Sequence, residues 1–157
     1  MNIWHGIGVA AGVGIIAAGV VLGQGGAVAT PGLFPYADNA VAAEGQGLYA
    51  DYCAACHGTQ LEGQADWRVP LANGRLPAPP HDVSGHTWHH PDAQLFDIVK
   101  YGTAALVGGS YQSDMAGYEE VLTDDQIIAV MAYIKSTWPA DIIARHDEMN
   151  RRLEVAQ

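Results

Sequence analysis

The stretch Leu48-Tyr49-Ala50-Asp51-Tyr52-Cys53-Ala54-Ala55-Cys56-His57-Gly58 holds both cysteines of the chain, two residues apart and followed at once by a histidine. A helix is predicted to lead into it, from about Ala40 to Ala54, with Asn39 as N-cap and Val41, Leu48, Tyr49 and Tyr52 as apolar contacts. Two cysteines this close cannot form a disulfide framework. A redox dithiol of the same spacing needs a strand–helix–strand setting, which is absent, and leaves the histidine unexplained. A zinc knuckle needs two further ligands at comparable spacing, and there are no more cysteines.

C-x-x-C-H is instead the attachment signature of c-type haem. Two thiols on one helical turn add across both vinyl groups of a haem, and the adjacent imidazole then reaches the iron from one face. Covalent attachment fixes the ring without a large pocket. Cys53 and Cys56 are therefore read as the cofactor-binding thiols of one covalent haem c, and His57 as a ligand of its iron.

Outward from this stretch the chain reads as helices and loops. From Gly58 to Trp88 no period is sustained, and Pro70, Pro77, Pro79 and Pro80 keep the backbone irregular. A loop this long usually covers something functional. A second helix is predicted from Pro91 to Tyr101, stopped by Gly102, with Leu95, Ile98 and Val99 buried. Residues 102–122 read as loop. Thr123 and Gln126 form a capping box opening a helix over Asp124–Thr137, whose stripe Ile127, Met131, Ile134 and Trp138 ends at Pro139. A last helix from Asp141 to about Val155 offers the pairs Asp141–Arg145, Asp147–Arg151 and Glu148–Arg152, with Ile142, His146, Met149 and Leu153 on its other face. No strand signal emerges, so the fold class is all-α.

At this point the sequence resembles the class I c-type cytochromes, small all-helical electron carriers. Gly45 to Gly58 is similar to the family's first helix and haem motif, and Leu95 to Gly102 to its middle helix. Met115-Ala116-Gly117-Tyr118, then Leu122 to Ile127 and Ala132 to Lys135, is similar to its distal loop and closing helix. The segment from Pro77 to Pro91 resembles a subset of bacterial monohaem members. The resemblance covers about residues 40–138 and implies three to five helices around one covalently bound haem. It places the crossing of the first and closing helices at Gly45, Tyr49 and Tyr133. It also implies Met115 as the second axial ligand, although Ala116 stands where the family often has proline. Its proximal imidazole donates to a proline carbonyl, for which Pro70 and Pro79 are both available.

Four histidines, His81, His86, His89 and His90, could in principle replace the methionine, which would lower the reduction potential. Loop packing and hydrogen bonding is the plainer reading of all four. His146 reads as a helix-surface residue. Trp67, Trp88 and Tyr111 are read either as haem-lining or as core.

Composition sets the remaining bounds. The 157 residues carry a net charge of −10, and no charged residue precedes Asp38. Phosphate neutralisation is therefore excluded as a mode of binding, leaving no nucleic-acid partner. Ile3 to Leu22 is apolar and long enough to span a bilayer. Ala27-Val28-Ala29 has the small-x-small look of a cleavage site, but the absence of Lys or Arg before the span favours an uncleaved anchor. Gly8-x-x-x-Gly12 and Gly19-x-x-x-Gly23 have helix-packing spacing, equally usual in membrane helices generally. The expected organisation is an anchor over 1–23, a linker over 24–39, a haem domain over 40–138 and a helical extension over 139–157.

The expected function is that of a membrane-anchored monohaem cytochrome c carrying single electrons, with no small-molecule substrate and no catalytic residue. It would lie on the periplasmic side of a bacterial cytoplasmic membrane. Expected partners are a bc-type quinol oxidoreductase, a terminal oxidase or a photosynthetic reaction centre, met as separate complexes or with this chain as a subunit of a membrane supercomplex. The alternative is a haem enzyme or gas sensor with a labile Met115.

Overall fold

Asp38 rather than Asn39 opens the first helix, its carboxylate accepting from Ala40 N at 2.9 Å and Val41 N at 3.3 Å. The structure is a computed structural model and describes Met1 and residues 32–156. The expected membrane span at Ile3–Leu22 and the cleavage-like Ala27-Val28-Ala29 lie outside the described residues. Among those described, no helix is long and apolar enough to cross a membrane.

The element order is α1 (Asn39–Tyr52), α2 (Ala54–His57), a 3₁₀ turn (Thr87–His89), α3 (Asp92–Tyr101), α4 (Thr103–Val107), α5 (Asp124–Ser136) and α6 (Ala140–Val155). The described residues form no strand, and a single isolated bridge joins Gly102 to Ala116. The short α4 falls where the sequence reads as loop. Thr103 to Val107 is too brief to show a period, and glycines bound it on both sides.

The main packing is α1 across α5. Gly45 makes it possible: a Cβ there would lie 1.9 Å from the Ala129 carbonyl oxygen. Beside it, the Tyr49 and Tyr133 rings meet at 5.5 Å. The capping box at Thr123 and Gln126 is formed, and Ile127, Met131, Ile134 and Trp138 are all buried. α3 packs on the same helix through Leu95 and Val99.

Both flanks of the haem-domain segment join this core. Phe34, within the stretch read as linker, is fully buried. α6 buries Ile142, His146, Asp147 and Asn150. His146 is therefore not a surface residue: only 1% of it is exposed. Its Nε2–H donates to the His90 carbonyl at 2.8 Å, leaving Nδ1 to accept from Asn150 at 3.4 Å. The expected Asp147–Arg151 pair does not form, because Asp147 turns inward to Lys135 at 2.7 Å and Arg151 pairs with Glu148. The Asp141–Arg145 and Glu148–Arg152 pairs do form, at 3.5 and 2.8 Å.

Candidate functional site

Tyr49 and α1 deliver the two thiols. Cys53 alone separates α1 from α2, at φ −117°, and the Tyr49 hydroxyl donates to the Gly58 carbonyl at 2.8 Å. Cys53, Cys56 and His57 thereby face one cavity of about 540 Å³. Its volume suits a bound organic group, since such sites run to roughly 300–1,000 Å³. Leu95, Ile98 and Val99 of α3 and Val130, Met131 and Ile134 of α5 give it an apolar wall.

His57 is buried and fixed by one bond. Its Nδ1 lies 2.8 Å from the Pro79 carbonyl, an atom that can only accept, so Nδ1 carries the proton. Nε2 is then unprotonated, which is what a metal ligand requires. Burial lowers the imidazole's affinity for a second proton, and the Pro79 bond partly opposes that. Of the two prolines open to this role in the sequence, Pro79 takes it.

Met115 reaches the same cavity from a loop clasped onto the end of α3. Tyr118 N–H donates to the Val99 and Lys100 carbonyls and Glu119 N–H to Lys100, all at 3.0 Å. Gly117 sits so close that a Cβ would lie 2.6 Å from the Tyr101 carbonyl carbon. The Ser113 hydroxyl accepts from Met115 N at 3.1 Å, and Asp114 pairs with Arg75. Met131, by contrast, lines the cavity from a helix face, and Met149 lies on α6.

The histidine cluster divides. His81 lies face to face with His57, ring centroids 4.1 Å apart and planes 25° apart. Two imidazoles on opposite sides of one iron would meet end on, so His81 in this position is not opposite His57. His86 and His90 also line the cavity, whereas His89 is exposed and packs on Trp88. His86 stacks on Trp67 at 5.2 Å, and burial followed by the neighbouring His90 lowers its basicity. Trp67 and Tyr111 are lining residues, while Trp88 packs against the core.

The donor set fits a covalently held haem. Two free cysteines and a histidine held as one neutral tautomer line a largely apolar cavity, with a methionine on a separate loop. Burial pushes the Cys53 thiol up to about 11, with Cys56 adding to the effect. A redox-active dithiol needs the opposite, a thiol of depressed pKa.

A family model described as Cytochrome c matches residues 42–138. The chain belongs to the cytochrome c family, whose fold and haem c it shares. Its chemistry is haem-based electron transfer. No curated protein and no solved structure matches it.

Proposed function

We propose that this protein is a membrane-anchored, single-haem electron carrier with Cys53 and Cys56 as the thioether attachment points and His57 and Met115 as the axial ligands. One observation carries the reading: His57, its Nδ1 bonded to Pro79, and Met115 line the same cavity as both thiols. The haem supplies a reversible one-electron couple. The chain's own part is to hold His57 in a single tautomer through Pro79, keep water from the apolar wall and clasp the Met115 loop. Held by His57 and Met115 together, the haem would supply electron transfer rather than bond-making chemistry.

The apolar, uncharged segment Ile3–Leu22 supports anchoring in a bacterial cytoplasmic membrane. The haem domain then faces the periplasm, where c-type haem is attached. The net charge of −10 favours partners with basic docking faces, such as a bc-type quinol oxidoreductase and a terminal oxidase or photosynthetic reaction centre. Electron exchange with such a partner slows as ionic strength rises.

The direct test is to reduce the purified full-length protein, add carbon monoxide and record the visible spectrum. No change is expected, because Met115 occupies the sixth position. A prompt carbon monoxide complex would overturn the carrier reading in favour of a haem enzyme or gas sensor.

A further inference from the structure

The Pro79–His81 segment touches His57 twice. Pro79 accepts the Nδ1 proton in the plane of the ring, at 2.8 Å, and His81 covers one face at 4.1 Å. The hydrogen bond alone restrains one edge of the imidazole and leaves a rocking motion about the N–H···O line. A flat group against the face removes that motion. Second-partner contacts of this kind fix the orientation of metal-bound histidines.

His81 is itself held at four points. Its N–H donates to the Leu61 carbonyl at 2.8 Å, and its own carbonyl accepts from Trp138 Nε1 at 2.8 Å. Its Nδ1 lies 2.8 Å from the Thr87 hydroxyl, which donates onward to the Pro80 carbonyl at 3.5 Å and so accepts from His81. The Tyr49 ring meets its edge at 6.3 Å. The Leu61 carbonyl is aimed by a left-handed backbone, φ +68°, unusual for a residue with a side chain. Such a backbone persists only where the surroundings impose it. A ring this tightly fixed is a platform rather than loop filling.

We infer that His81 is a positioning residue for His57, whose stacked ring sets the rotational angle of the proximal imidazole plane about its bond to the iron. The inference rests on the reading of His57 as an axial ligand. A planar ligand donates π density in one plane only. Its rotational angle therefore decides how unpaired spin is distributed over the ring in the ferric state, which proton NMR reads as the pattern of haem methyl shifts.

The test uses haem-loaded, full-length protein in the ferric form. His81→Ala removes the platform, Thr87→Val keeps the ring but removes its anchor, and His81→Phe restores a flat face. In the first two, the order and spread of the methyl shifts are expected to change, with unchanged far-UV circular dichroism and covalent haem content. His81→Phe returns the pattern towards the parent. An unaltered pattern in folded, loaded His81→Ala overturns the inference, and if that variant does not fold, an unaltered pattern in Thr87→Val does so. His57→Ala separates the two levels. If it keeps the parent's low-spin spectrum, the ligand assignment itself fails; if it loses it while the platform variants stay silent, the positioning role alone fails.

Discussion

Lys135 Nζ lies 2.7 Å from Asp147 Oδ1, and the lysine side chain has no exposure to solvent. A second buried carboxylate, Asp92, is 3.8 Å from the same ammonium, and the Tyr36 ring covers it at 4.8 Å. The outer oxygens are also used: Tyr36 OH donates to Asp147 Oδ2 at 2.7 Å, and Leu33 N–H to Asp92 Oδ2 at 2.7 Å. This cluster ties the segment before α1 to α3, α5 and α6. Removing one partner of a buried pair strands the other charge and costs about 3–5 kcal/mol. Asp147→Ala is expected to lose that much in a urea unfolding series on haem-loaded protein. Lys135→Met is expected to lose at least as much, since it strands the buried carboxylates of Asp92 and Asp147 together. None of these residues lines the cavity, so the visible spectrum should not change.

His146 makes the same cluster sensitive to acid. Burial, then the nearby Lys135 ammonium, hold its affinity for a second proton below the ordinary value, with Asp92, Asp147 and the His90 carbonyl partly opposing. Unfolding releases it to a histidine of ordinary pKa, about 6.5. The unfolded chain therefore binds more protons once pH drops below about 6.5, and stability falls with it. The contribution is complete above that pH and is lost progressively below it. His146→Gln should flatten this part of the stability–pH curve; an unchanged slope would show that other groups, such as His86, carry it.

Two glycines of α1 should respond oppositely to alanine. At Gly45 the new methyl would meet the Ala129 carbonyl at 1.9 Å, forcing α1 from α5 at a cost of about 1–3 kcal/mol. At Gly47 nothing lies within 4 Å, so alanine should add roughly 0.5–1 kcal/mol by removing freedom from the unfolded chain. Thermal unfolding of the two variants side by side gives shifts of opposite sign.

The features legible in the sequence are those that periodicity and local chemistry can encode. The capping box, the stripe from Ile127 to Trp138 and the glycine stop at Gly102 depend on near neighbours, and each is found where its pattern lies. The placement of both thiols, His57 and Met115 on one cavity was legible through the spacing of the first three and the family likeness of the fourth. The inward face of α6 was not. Apart from Ile142 its buried positions, His146, Asp147 and Asn150, are polar, so apolar spacing does not mark them as inward-facing. Partners on other elements turn them inward: the His90 carbonyl for His146, Asp92 for Asn150 and Lys135 for Asp147. The stacking of His81 on His57 was equally hidden, because it depends on the path of an irregular loop.

The Met115 loop offers the sharpest control of the haem's potential. Thioether ligation raises the potential relative to a second imidazole, because it favours the reduced iron. Met115→His, on a loop fixed by Val99, Lys100 and Ser113, should therefore give a bis-imidazole centre. Its midpoint should fall by on the order of 100 mV, within the roughly 0.8 V that axial ligands span. Met115→Ala should leave the sixth position open, so that the reduced protein takes up carbon monoxide at once. Spectroelectrochemical titration of the parent and both variants measures these effects together. A parent-like potential in Met115→Ala would instead assign the sixth position to another group, with His86 and His90 the histidines already facing the cavity.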